Sequence, residues 1–97
     1  MNIIFEVVDK TKRRIYLTYE RYEHILKHLE MQNKIEYVKE TLISPLFIVD
    51  LTKNIYVKHY YKYYKNINLK TKYLRVIVKY LNGKGYIITA YFVNKIQ

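Results

Sequence analysis

The chain begins with short apolar runs set between polar turns. Ile3-Ile4-Phe5-Glu6-Val7-Val8 reads as a strand, Asp9-Lys10-Thr11-Lys12 as a polar turn, and Arg14-Ile15-Tyr16-Leu17 as the returning strand. Thr18 has the chemistry of a helix N-cap, and Glu20 sits in the first turn, where the helix dipole favours a carboxylate. Tyr22, Ile25, Leu26 and Leu29 then fall at i, i+3, i+4 and i+7, which predicts a helix over about 19–31. Gln32-Asn33 breaks it. Ile35, Val38 and Leu42 continue as a second helical stripe to about 43. Ser44-Pro45 closes that helix, because the residue before proline is pushed out of the helical region. Leu46-Phe47-Ile48-Val49 follows as a strand.

Residues 55–64 alternate strictly. Tyr56, Lys58, Tyr60, Lys62 and Tyr64 share one face; Ile55, Val57, His59, Tyr61 and Tyr63 share the other. Lys72 to Tyr80 is a further strand, with Leu74, Val76 and Val78 facing the core. Asn82-Gly83-Lys84-Gly85 is a turn, and Tyr86 to Val93 is the last strand. Placing Ile88, Ala90 and Phe92 over the same core as Leu74, Val76 and Val78 demands an even sum of paired residue numbers. A two-residue Asn-Gly turn gives an odd sum, so a three- or five-residue loop is expected. Arg75, Lys79, Thr89 and Tyr91 then share the face away from the core.

The predicted order is β-β-α-α-β-β-β-β. It reads as one α+β domain over residues 1–97, an antiparallel sheet of about four main strands with two helices packed on one face. No internal repeat, linker or low-complexity tail is evident.

Charge changes this picture. The net charge is +10, yet residues 1–50 balance eight basic against eight acidic side chains. Residues 51–97 carry ten basic side chains, no Asp or Glu, and nine of the thirteen tyrosines. Lysines neutralise phosphates and release counterions, and tyrosines stack on bases, so a nucleic acid is the expected partner. The absence of cysteine excludes a disulfide scaffold, a thiol nucleophile and a cysteine-ligated metal centre. No apolar run approaches the roughly 20 residues that span a bilayer. The N-terminus does not read as a signal peptide, so a soluble cytoplasmic protein is expected, with no membrane partner.

Two of the three histidines, His24 and His28, lie at i, i+4 on the first predicted helix. His24 points roughly away from the apolar stripe; His28 lies at its flank, where a side chain can reach a sheet edge. Both read equally well as solvated helix residues. His59 shares a face with Ile55 and Val57 and suits a satisfied core histidine, with proton transfer as its second reading. Zinc would need a third ligand, and two-metal phosphodiester hydrolysis needs clustered acids, so no metal or other cofactor is expected. With only two glycines, phosphate-binding glycine loops are excluded.

Metal-free chemistry on RNA fits what remains. RNA supplies its own nucleophile, the 2′-hydroxyl, so a protein needs only a proton shuttle, fixed cations and hydroxyl donors. Candidates are His28 or His24 for protons, Lys27, Arg75 and Lys79 for charge, and Thr89 and Tyr91 as donors. Lys27, Lys58, Tyr60, Lys62, Tyr64 and Lys65 are expected to carry the substrate strand.

Four segments together resemble a known group. Leu17-Thr18-Tyr19-Glu20-Arg21-Tyr22-Glu23-His24-Ile25-Leu26-Lys27-His28-Leu29-Glu30 resembles the L-T-x-E-R-x-x-H-I-x-x-[RK]-H-P-E opening of small phage- and mobile-element-associated proteins. Thr41-Leu42-Ile43-Ser44-Pro45 is similar to their T-L-x-x-P helix end. Tyr73-Leu74-Arg75-Val76-Ile77-Val78-Lys79 and Ile87-Ile88-Thr89-Ala90-Tyr91 resemble two of their strands. These proteins belong with the barnase, EndoU, colicin and RelE-like nucleases of the BECR fold. The resemblance implies a toxin-like, metal-independent ribonuclease with site residues at His24, His28, Lys79, Thr89 and Tyr91. Lys27-His28 and Thr89-Ala90-Tyr91 are similar to the helix Lys-His and the last-strand Ser-x-Trp of tRNA-cleaving members. Leu29 stands where the motif often has proline, which predicts a helix that continues.

The implied partners are RNA (tRNA or mRNA) and an acidic antitoxin or immunity protein; a homodimer is also allowed. The competing readings are a non-catalytic RNA- or DNA-binding module and a module that binds an acidic protein.

Overall fold

Alternating segments from both ends of the chain pair into one sheet. In the computed structural model, which describes residues 2–50 and 53–96, the elements run β1 (Ile3–Val8), β2 (Arg14–Thr18), α1 (Tyr19–Leu26), a 3-10 turn (Leu29–Met31), α2 (Ile35–Ile43), β3 (Phe47–Asp50), β4 (Val57–Tyr63), β5 (Tyr73–Leu81) and β6 (Lys84–Val93). The fold is α+β. The sheet order is β1-β2-β6-β5-β4-β3. Every neighbouring pair is antiparallel except β2 and β6, which run parallel.

The expected four-stranded antiparallel sheet is therefore corrected to a six-stranded mixed one. The first hairpin joins the sheet through Ile15 opposite Gly85 and Tyr16 opposite Tyr86. Gly85 permits that approach: a Cβ there would meet Ile15 Cδ1 at 2.3 Å and side-chain atoms of Tyr80 and Val78 at 3.0 Å. Only glycine leaves room for the neighbouring strand.

α1 begins as its cap predicts, with the Thr18 side chain accepting from the Arg21 amide at 3.2 Å. It stops at Leu26 rather than near residue 31. Lys27 caps it, and His28 is extended (φ −82°, ψ 107°) ahead of the 3-10 turn. Met31 consequently takes the core position that helical periodicity assigned to Leu29; Met31 is 2% exposed and Leu29 81%. Leu29 in place of proline does not prolong the helix. α2 keeps its expected stripe, with Val38 and Leu42 buried and Ile35 packed beside them.

The β5–β6 hairpin resolves its register conflict in an unexpected way. Leu81 pairs with Lys84, so the turn is the two-residue Asn82-Gly83, both at positive φ (54° and 80°). This is the turn geometry that suits the twist of a hairpin. A β-bulge then shifts the pairing: Val78 opposes Ile87 while Ile77 opposes Thr89, which leaves Ile88 as the extra residue. The even-sum register holds only beyond the bulge. Near the turn the core residue is Ile87, not Ile88.

One face of the sheet carries the helices. There Leu74, Val76, Val78, Ile87, Ala90 and Phe92 meet Ile25, Met31, Val38 and Leu42 in a single core. Tyr60 belongs to this core and is fully buried. Its hydroxyl donates to the Asp9 carboxylate and is hydrogen-bonded to the Tyr80 hydroxyl. Asp9 also accepts from the backbone amides of Thr11 at 3.0 Å and Arg13 at 2.9 Å. The Arg13 guanidinium lies 3.6 Å from the centre of the Tyr80 ring. The polar turn after β1 is thus anchored to the core by a carboxylate that is 3% exposed.

Candidate active site

The second face of the sheet carries the candidate site. Its composition follows from register. Arg75 pairs with Tyr91 on β6 and Tyr61 on β4, Ile77 with Thr89 and His59, and Lys79 with Tyr86 and Val57. These partners share a face because side chains alternate along each strand. Arg75, Lys79, Thr89 and Tyr91 are therefore grouped as the sequence predicts, joined by His59 and Tyr61.

The other expected strand-binding residues occupy the opposite side. Lys58, Tyr60 and Lys62 pair with Val78, Val76 and Leu74 and lie on the helix face. Lys58 Nζ makes an ion pair with Asp50, Lys62 Nζ donates to the Ser44 carbonyl at 2.8 Å, and Tyr60 is inside the core. Tyr64 packs against Tyr37 and Phe92, and its hydroxyl donates to Glu40 at 2.8 Å. Lys65 is exposed in the loop after β4. The alternation of residues 55–64 was legible, but its orientation relative to β5 was not: His59, Tyr61 and Tyr63 face Arg75, and the lysines do not.

Arg75 is the centre of the site. Its side chain is 9% exposed, yet among the described residues no carboxylate lies within ion-pair distance. Nε donates to the Tyr61 hydroxyl at 2.9 Å and Nη1 to the Tyr91 hydroxyl at 3.0 Å. A guanidinium has five N–H donors, so phenols satisfy only part of its capacity. Arg75 also lines a depression with Thr71, Phe92, Val93, Asn94 and Lys95.

A histidine flanks each phenol. His59 Nδ1 lies 3.4 Å from the Tyr61 hydroxyl. Burial, and then the positive charge of Arg75, hold His59 below the ordinary histidine value of 6.5, so it is neutral at pH 7. On the other side the His28 ring lies against Tyr91, with centroids 5.3 Å apart and planes inclined by 36°. Leaving the helix at Lys27 is what delivers His28 there, because an extended residue projects onto β6 where a continued helix would carry it past.

The remaining predicted site residues lie around this cluster. His24 and Lys27 are exposed at the end of α1. Thr89 Oγ1 is buried without a hydrogen-bond partner among the described residues. Lys79 stands four residues along β5 from Arg75, beside Tyr86 and the first turn of α1. Among the described residues no group of three or more His, Asp or Glu is close enough to hold a metal ion, and no helix is long and apolar enough to cross a membrane.

Sequence reasoning placed Arg75, Tyr91 and His28 among the candidates and missed Tyr61. The pairing of β4 with β5 is the signal that would have found it. Compared with protein families, curated proteins and solved structures, the chain matches none.

Proposed function

We propose that this protein is a metal-independent endoribonuclease. The observation that carries the reading is Arg75, a nearly buried cation held by two phenols, with donors to spare and a histidine beyond each phenol. A preorganised guanidinium in a water-poor site suits a phosphate oxygen that gains charge in the transition state. The resemblance to BECR nucleases points to the same chemistry.

In this reading Arg75 holds the scissile phosphate. His59, neutral at pH 7, takes the proton from the ribose 2′-hydroxyl as its oxygen attacks phosphorus. The P–O5′ bond breaks, and His28 gives a proton to the departing 5′-oxygen. The products are a 2′,3′-cyclic phosphate and a 5′-hydroxyl. Tyr61 and Tyr91 fix the guanidinium and the two rings. The partner is RNA, and the net charge of +10 would also recruit an acidic inhibitory protein.

Incubation with total tRNA and a fluorescent single-stranded RNA in EDTA tests this. Discrete cleavage leaving 2′,3′-cyclic ends, abolished in Arg75→Gln and His28→Ala, supports it. Intact RNA with salt-sensitive binding unchanged in His28→Ala would instead make the protein a binding module.

A further inference from the structure

A second feature of the same sheet face lies away from the Arg75 cluster. A cleft of about 520 Å³ opens between the first turn of α1 and the turn end of the β5–β6 hairpin. Its lining includes Arg21, Lys79, Tyr86 and Ile88. Ile88 is the bulge residue, the extra position that breaks the regular β5–β6 pairing here. Tyr86 is stacked on Tyr16 with centroids 5.5 Å apart. Tyr86 is half-buried and lines the cleft, so part of its ring is presented there to another planar group. Arg21 and Lys79 outweigh Glu20, the one acid in the lining, so the cleft is net cationic.

An apolar wall, a tyrosine ring and two cations together match a nucleotide rather than a simple anion. We infer that this cleft is a nucleotide subsite, taking a base on Tyr86 and its phosphate on Lys79 and Arg21; as an RNA subsite it rests on the ribonuclease reading. Lys79 and Arg75 are separated by about 13 Å along β5, at roughly 3.3 Å per residue, far enough to serve different phosphates of one strand. Lys79 thereby becomes a substrate-binding residue, and the scissile phosphate is left to Arg75. Thr89, opposite Ile77, stands between the levels of Arg75 and Lys79.

Adenosine 5′-monophosphate and inorganic phosphate, titrated into ¹⁵N-labelled protein, test the subsite without requiring turnover. The nucleotide is expected to shift the amides of Arg21, Lys79, Tyr86 and Ile88, and phosphate alone to leave them in place. Tyr86→Leu should weaken nucleotide binding roughly 5- to 100-fold, the range of a lost base–aromatic stack. Lys79→Gln, which leaves the Tyr16–Tyr86 pair intact, should weaken it as well. Shifts confined to the Arg75 end, or equal responses to phosphate and nucleotide, would overturn the subsite. The cleavage arm compares a dinucleotide with a tetranucleotide: the longer substrate should raise kcat/KM in the natural chain and not in Tyr86→Leu. Amide shifts without cleavage would overturn the nuclease reading alone; cleavage without those shifts would overturn the subsite alone.

Discussion

Arg75 Nη1 donates to the Tyr91 hydroxyl at 3.0 Å across the β5–β6 pair. A cation in such a position would ordinarily be neutralised by a carboxylate, and here phenols stand in its place. Phenols orient the guanidinium without cancelling its charge, so an incoming phosphate meets a full positive charge already fixed in direction. Arg75→Lys keeps that charge and loses the planar fork. RNA cleavage should fall by about 100-fold, in the range seen when one preorganised transition-state donor is removed, and single-turnover kinetics would measure it.

The histidine beside Tyr61 predicts a pH profile. Burial and Arg75 depress its proton affinity, so His59 stays neutral through pH 7 and charges only below its ordinary value of 6.5. If it is the base, kcat/KM should fall along an acid limb that lies below 6.5, as the base is protonated. His59→Ala should abolish this acid limb along with most activity. A limb that persists in the variant would assign the base elsewhere.

Stability has its own acid dependence, through Asp9. Burial alone would raise this carboxyl, but hydrogen bonds from Tyr60, the Arg13 amide, Thr11 and Tyr80 outweigh it and hold the group below its ordinary 3.8. The unfolded chain therefore binds the proton first as pH falls. The stabilisation is complete well above pH 3.8 and is lost as pH drops below it toward the folded value. Asp9→Ala leaves buried phenols without their acceptor and should cost about 1–3 kcal/mol. Urea melts of the natural chain and the variant should differ most at pH 7, and the difference should shrink as the pH is taken below 3.8.

Gly85 offers a test of the parallel β2–β6 pairing that keeps activity out of the measurement. A methyl group there would clash with Ile15 Cδ1 at 2.3 Å, and overpacking of this kind costs about 1–3 kcal/mol. Gly85→Ala should lower the melting temperature. Gly83→Ala meets no atom within 4 Å but must hold φ at 80°, so its cost is one of backbone strain in the turn.

Which face of β4 would meet RNA under the proposed function can be read from paired substitutions. Lys58 and Lys62 are tied to Asp50 and to the Ser44 carbonyl on the helix side. Lys58→Gln and Lys62→Gln should each change affinity for single-stranded RNA less than twofold at physiological salt. Arg75→Gln should lower both affinity and its salt slope. Fluorescence anisotropy over a salt series separates the two groups.

How much of this was legible in the chain differs from element to element. Local patterns carried the strands, the Thr18 cap and the α2 stripe, because each rests on contacts between residues close in sequence. The even-odd conflict in the last hairpin was also legible, as arithmetic; whether a longer loop or a bulge resolves it was not. The same limit applies to α1, where a stripe of Tyr22, Ile25, Leu26 and Leu29 fits a long helix. Met31 fills the core better once the chain turns at His28, and that turn is what sets His28 against Tyr91.

The long-range pairings lie beyond any local pattern. Alternation assigns residues 55–64 to two faces but does not say which of them meets the helices; Tyr60 and Tyr61, on opposite faces, are both fully buried. Pairing Tyr60 with Val76 decides it, since that register gives the phenol an acceptor in Asp9, 51 residues away. An unpaired hydroxyl in the core would be costly, so the fold selects the register that satisfies it. The Arg75 cluster follows from that choice; the six-stranded sheet has a separate origin in the parallel β2–β6 pairing, where Gly85 lets the Ile15 side chain pack close. Composition and period are properties of neighbours along the chain. A site assembled from four separated segments is a property of which strands fit together.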